Sequence, residues 1–196
     1  TETWVGLTGV GVFRQTGGTH APEALRIGTG SGGQGTYEMS GGTLDGEIRV
    51  GRYHGARFEQ SGGTVRGTVE VWNTQDGTSG AVYELSGTGA VDVDSLYVWG
   101  GPGDPGGPEY RAQFVQAGAA TSVTVADELK VDGLYDLQAG AAQSAYVRVA
   151  EVFRQSGGSL TTAYLRVGAG GRYEYTGGAL QVGNMTVFGA MDFLGQ

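Results

Sequence analysis

A short pattern returns about every 20 residues along this chain: an aromatic residue, any residue, Gln or an apolar residue, a small residue, then glycine. Aligned on the aromatic, the copies begin at Phe13, Tyr37, Phe58, Tyr83, Phe114, Tyr135, Phe153, Tyr173 and, at the end, Phe193. Subtraction gives spacings of 24, 21, 25, 31, 21, 18, 20 and 20. A period of this length marks a solenoid in which each repeat is one coil touching only its neighbours. The excess over 20 falls in glycine-rich joins, as loops between coils should. The largest is an insertion loop at 100–110, which holds three of the four prolines.

The clearest copies read FRQTGG (13–18), YEMSGG (37–42), FEQSGG (58–63), FRQSGG (153–158) and YEYTGG (173–178). Each is followed by a second apolar-x-apolar stretch, as in IRVG (48–51), VEVW (69–72), LYVW (96–99), LKVD (129–132) and LRVG (165–168). Alternation with period two predicts strands with one buried and one wet face. The Gly-Gly pair predicts a corner that needs positive φ and has no room for a Cβ. Ala139–Val149 is rich in alanine, yet its Tyr146, Arg148 and Val149 match the second-strand slot, so it too reads as strand. The predicted fold is all-β: a single-stranded parallel β-helix, or β-solenoid. It has about eight coils of roughly 20 residues in one domain over 1–196, with incomplete coils at both ends. Thr3-Trp4-Val5-Gly6 matches a strand end, and Phe193 reads as the opening of a further coil. At roughly 4.7 Å per coil the body is about 40 Å long.

The copies alternate. Phe-x-Gln occurs at 13, 58, 114 and 153, and Tyr-x-(Met, Leu or Tyr) at 37, 83, 135 and 173. If residues two apart share a face, Gln15, Gln60, Gln116 and Gln155 point inward between apolar neighbours. A buried amide needs partners, and backbone at the corner is the expected source.

Composition narrows the function. With 40 glycines and 4 prolines among 196 residues, but no Gly-X-Y period, the chain is neither an ordinary globular domain nor collagen. A net charge of −8 argues against a nucleic-acid surface. The absence of Cys removes disulfides, thiolate metal sites and thiol nucleophiles. No apolar run has the length of a membrane span. The chain begins at Thr1, which reads as a processed product or a piece of a larger chain.

Tandem (F/Y)-x-(Q/L)-S-G-G-T-(L/V) followed by (L/I)-x-V-G resembles the glycine-rich repeats of bacterial autotransporter passengers. It is also similar to repeats in large exported proteins that carry a PEP-CTERM sorting tail. The resemblance covers nearly the whole chain. It implies a β-solenoid located extracellularly or on a bacterial cell surface, and no particular activity.

Two outward ladders follow from the alternation. Just after the aromatic lie Arg14, Glu38, Glu59, Glu84, Val115, Asp136, Arg154 and Glu174; within the second strand lie Arg26, Arg49, Glu70, Tyr97, Lys130 and Arg166. Glu38, Glu59 and Glu84 stack as like charges and call for a counter-charge, a cation or a partner surface. No catalytic cofactor is implied; adventitious Ca2+ at these three is the one ion the ladder would recruit. Trp72, Tyr97 and Trp99, with Asp104 in the insertion loop, form the candidate contact surface. Asp92 and Asp94 with Asp127 and Lys130 are the best constellation for a polysaccharide-cleaving site. His20 and His54 lie in separate loops and read as polar surface. GTGSGG (28–33) has no helix after it and so lacks the physics of a phosphate loop. The expectation is a non-enzymatic structural or adhesive surface solenoid, either a segment of a larger protein or a subunit stacking end to end into a fibre. Its partners would be a further copy or a cell-surface glycan. The alternative is a carbohydrate-binding or polysaccharide-cleaving β-helix.

Overall fold

The computed structural model describes residues 1–73, 80–100 and 112–194. Among them there is no helix, and every paired strand is parallel to its neighbours. In chain order the strands are β1 (Glu2–Val5), β2 (Val10–Gln15), β3 (Thr19–His20), β4 (Ala24–Ile27), β5 (Gln34–Met39), β6 (Thr43–Val50) and β7 (Ala56–Gln60). They continue with β8 (Thr64–Trp72), β9 (Ala81–Leu85), β10 (Ala90–Trp99), β11 (Gln113–Gln116), β12 (Ser122–Val131) and β13 (Leu134–Leu137). The last are β14 (Ala141–Val149), β15 (Val152–Gln155), β16 (Ser159–Val167), β17 (Arg172–Tyr175), β18 (Ala179–Val187) and β19 (Ala190–Phe193). One sheet runs β1-β4-β6-β8-β10-β12-β14-β16-β18, with β3 also on β6; the other runs β2-β5-β7-β9-β11-β13-β15-β17-β19. The chain crosses from one sheet to the other and back in each turn, building a β-solenoid of about 8 coils. The Ala-rich stretch is β14, as its slot requires.

Register follows the aromatics. Phe13, Tyr37, Phe58 and Tyr83 lie on successive rungs, and Tyr83, Phe114, Tyr135, Phe153 and Tyr173 continue the row. Their rings stack face to face, with centroids 4.5 to 5.0 Å apart along the rod. The rung spacing of a sheet, about 4.7–4.9 Å, is also a good stacking distance, so backbone and ring contacts reinforce each other. Apolar pairs from the facing sheet, such as Ile48 and Val50 or Val69 and Val71, close the core opposite the ladder. The row ends differently from expectation. Met191, not Phe193, lies opposite Tyr173, and Phe193 falls two residues on, opposite Tyr175. The join between β18 and β19 is only Phe188-Gly189, so the chain re-enters the second sheet early. Phe193 therefore lands in the slot used by Gln or Leu in other coils.

The corner glycines behave as the motif requires. At Gly42 φ is +86°, and a Cβ would collide with the carbonyl oxygen of Gly18 in the coil before. The corner from the second sheet to the first is thus short and nearly constant. All large insertions fall at the other corner, where 74–79 and 101–111 lie outside the described residues.

The two-coil alternation has a hydrogen-bonding cause. Gln15, Gln60, Gln116 and Gln155 are buried. Each accepts at Oε1 from the tyrosine hydroxyl of the next coil: Tyr37, Tyr83, Tyr135 and Tyr173, at 2.7, 2.6, 2.9 and 2.5 Å. Each donates from Nε2 to a carbonyl just past the next coil's corner: Thr43, Ala90, Ala141 and Ala179, at 3.0, 3.0, 3.0 and 2.9 Å. A Phe-x-Gln coil must therefore be followed by a Tyr coil. A Tyr coil, with Met39, Leu85 or Leu137 in the glutamine slot, asks nothing polar of the next. Backbone at the corner was the expected partner; the tyrosine hydroxyl is the addition. Gln116→Leu strands the Tyr135 hydroxyl in the core and should cost about 1–3 kcal/mol. Adding Tyr135→Phe should recover much of that loss. Urea titration of the two single variants and the double measures the coupling, and simple additivity would refute the pairing.

Candidate functional site

The outer face of the second sheet carries the acidic ladder. Glu38, Glu59 and Glu84 do occupy consecutive rungs. Their counter-charge comes from this chain. Arg14 Nε lies 2.7 Å from Glu38, while Arg57 reaches Glu59 at 2.8 Å and Glu84 at 2.6 Å. Arg57 stands two residues before Glu59 and so points the same way, which places its fork between two rungs. The same device recurs toward the other end, where Arg154 and Arg172 flank Glu174 and Arg172 also meets Asp192. These pairs face solvent and mainly cancel repulsion along the stack. Among the described residues no group of three or more His, Asp or Glu is placed to hold a metal ion.

The outer face of the first sheet carries the aromatic candidates. Trp72 and Trp99 are rung neighbours, stacked at 5.3 Å, and Tyr97 lies tilted against Trp99 at 5.5 Å. Trp72 Nε1 donates to Glu70 at 3.1 Å. Lys130 Nζ sits 3.9 Å from the Trp99 ring centroid and 2.6 Å from Asp132. Trp72, Tyr97, Trp99 and Lys130 thus form one half-buried cluster beside the insertions. Asp104 lies outside the described residues.

The four residues proposed for cleavage chemistry do not converge. Asp92 faces Thr124 across the rung, whereas Lys130 faces Tyr97 at the other end of the strand pair and is engaged by Asp132. Asp94 and Asp127 fall where the register shifts between β10 and β12, and both are exposed. Such carboxylates are separate solvated side chains that do not face a common point, as paired acid–base work requires.

His20 has a more specific place than polar surface. It lies beside the start of the aromatic ladder, 5.2 Å from Phe13 and 6.2 Å from Tyr37 between ring centroids. The Tyr37 hydroxyl already donates to Gln15, so its oxygen accepts from His20 Nδ1 at 3.0 Å. Nε2 then accepts from the Thr3 hydroxyl at 3.1 Å. Burial lowers the imidazole pKa below its usual value, which keeps this neutral tautomer. His54 stands apart, in the turn between β6 and β7. GTGSGG (28–33) runs directly into β5, so no helix N-terminus stands behind it.

Sequence spacing alone overlooked two features of the charged ladders: Arg57 as the shared counter-ion, and the stack of Tyr146 on Tyr164 at 5.2 Å. Both were detectable, because each lies two residues from a position already assigned to the outer face. Comparison of the chain with family models, with curated proteins and with solved structures gives no match.

Proposed function

We propose that the chain is a structural or adhesive β-solenoid on the outside of a bacterial cell, working as a stiff rod and not as an enzyme. The observation that supports this most is the unbroken ladder, in which rings, glutamine bridges and paired strands repeat from Phe13 to Tyr173. A rod of this kind transmits force along its axis while loops at one corner vary freely. The resemblance of the repeat to exported bacterial repeat proteins supports the surface location.

Both terminal coils present unpaired strand edges. At one end Trp4, Val10 and Val12 are exposed, and at the other Phe188, Phe193 and Leu194. These are faces on which another coil stacks, whether from the same polypeptide or a second copy. Head-to-tail stacking would keep all strands parallel and grow an open filament. Electron microscopy of the purified chain is expected to show rods, single at about 40 Å or in end-to-end multiples. Particles with no long axis would refute the rod. Polysaccharide turnover abolished by Asp92→Asn would refute the non-enzymatic reading.

A further inference from the structure

The outer face of the first sheet changes character partway along the rod. From β1 to β12 it carries carboxylates beside its cations: Arg26 pairs with Glu2 at 3.1 Å, Arg49 with Glu47 and Glu70, and Lys130 with Asp132, while Arg66 stands on the rung between Asp45 and Asp92. β14, β16 and β18 carry no Asp or Glu at all, in a chain with 20 acidic residues. They do carry Arg148 and Arg166, directly opposite each other on adjacent rungs and both exposed. Neither makes an ion pair among the described residues; Arg166 lies 5.5 Å from the Phe188 ring centroid, and Arg148 lines a surface pocket that Asp132 and Glu151 also line. Lys130 precedes them on the same row, so the row is cationic over three coils. Like charges stack elsewhere too, but there each stack is offset by neighbours of opposite sign: Arg26 opposite Arg49 beside Glu2, Glu47 and Glu70, and Glu38, Glu59 and Glu84 beside Arg14 and Arg57. Here two guanidiniums stack with nothing between them, an unfavourable arrangement unless an anion from outside joins it.

The surroundings suit a hydroxyl-rich partner. Tyr146 and Tyr164 stand two residues before the arginines on the same face, and their rings are closed against each other. Both are half-buried, and the Tyr164 hydroxyl is shared with Thr186 at 2.8 Å. Gln143, Thr161 and Gln181 form a parallel exposed row of amides and a hydroxyl, again one per rung. Nucleic acid would need aromatic faces to stack on as well as cations, and the Tyr146 and Tyr164 rings are half-buried and stacked on each other. A flexible polymer with recurrent hydroxyls and spaced anionic groups matches both rows.

The geometry points to the outer face of β14, β16 and β18 as a binding surface for an acidic polysaccharide, with Arg148 and Arg166 taking its carboxylate or sulfate groups. This gives the adhesive part of the proposed function a partner, and it rests on that reading only for its setting. The test is retention on immobilised polygalacturonate and on dextran sulfate, with plain dextran as the neutral control. The unaltered chain should bind at least one acidic polymer in low salt, weaken as salt rises, and ignore dextran; which polymer it prefers tells carboxylate from sulfate. Arg148→Gln with Arg166→Gln should weaken binding about tenfold or more, while Arg154→Gln on the other sheet changes nothing. Both positions are exposed, so the circular dichroism and urea midpoint of the double variant should match the parent. Arg148→Gln alone should give an intermediate loss. No binding to either acidic polymer, equal binding to dextran, full binding by the double variant, or tighter binding to single-stranded DNA would each overturn the assignment. None of these would alter the rod seen by electron microscopy, so the two readings fail separately.

Discussion

Phe58→Ala is expected to destabilise the chain by about 3–5 kcal/mol, read as a fall in the urea midpoint. Phe58 is fully buried, with Tyr37 on one side at a centroid distance of 5.0 Å and Tyr83 on the other at 4.5 Å. The loss has two parts: the transfer energy of the ring and the cavity it leaves. In many cores the second part shrinks because neighbours move in. Here they are held, because β7 is hydrogen-bonded to β5 on one side and β9 on the other, which pins the rungs about 4.7–4.9 Å apart. Both neighbouring tyrosines are also tethered through their hydroxyls to Gln15 and Gln60. Phe13→Ala, at the half-buried end of the same ladder, has one ring neighbour in the row and should lose clearly less. Equal losses at Phe13 and Phe58 would show that the ladder is not the cooperative core.

The second large effect is alkaline unfolding. Burial pushes the phenol pKa values of Tyr83, Tyr135 and Tyr173 far above the usual value near 10. In the unfolded chain the same phenols ionise at about pH 10. Above that pH the unfolded state holds fewer protons than the folded state, so stability falls as pH rises. Each tyrosine contributes a slope of about 1.4 kcal/mol per pH unit, and three together roughly 4 kcal/mol per unit. Stability from this source is complete below about pH 10 and is lost progressively above it. The check is to follow phenolate absorbance and β-sheet circular dichroism together. The buried tyrosines should ionise only in the step that destroys the sheet signal. Their titration with the sheet intact would mean the hydroxyls reach solvent and that the glutamine bridges are open.

Much of the fold could be read directly from residue order. Phe13 to Tyr173 share a ladder because period-two alternation allows only one register in which every aromatic and every Ile48-Val50 type pair faces the core together. Gly42 and its equivalents mark a corner because only glycine tolerates that φ beside another coil's carbonyl. The misplaced end shows the limit. Phe193 has the right residue type at the right spacing, but the length of one join decided that Met191 takes the ladder position. Spacing counts residues, whereas pairing depends on where a loop delivers the chain.

The candidate surfaces divide along the same line. The stack of Glu38, Glu59 and Glu84 followed from the repeat, as did the rung shared by Trp72 and Trp99. That Arg57 bridges Glu59 and Glu84, that Lys130 is held by Asp132 and Trp99 and not by Asp92, and that Arg148 and Arg166 face each other unpaired came only from the folded chain. Order along the chain sets which face a side chain occupies, because successive residues in a strand point to opposite sides. It does not set which residue of the next coil lies 3 Å away. That depends on the offset between coils, which the corner glycines, the insertions and the packed core settle jointly. Sequence alone therefore determined a glycine-cornered β-solenoid with an aromatic spine, and tertiary structure decided which charges are cancelled and which stand without an ion pair among the described residues.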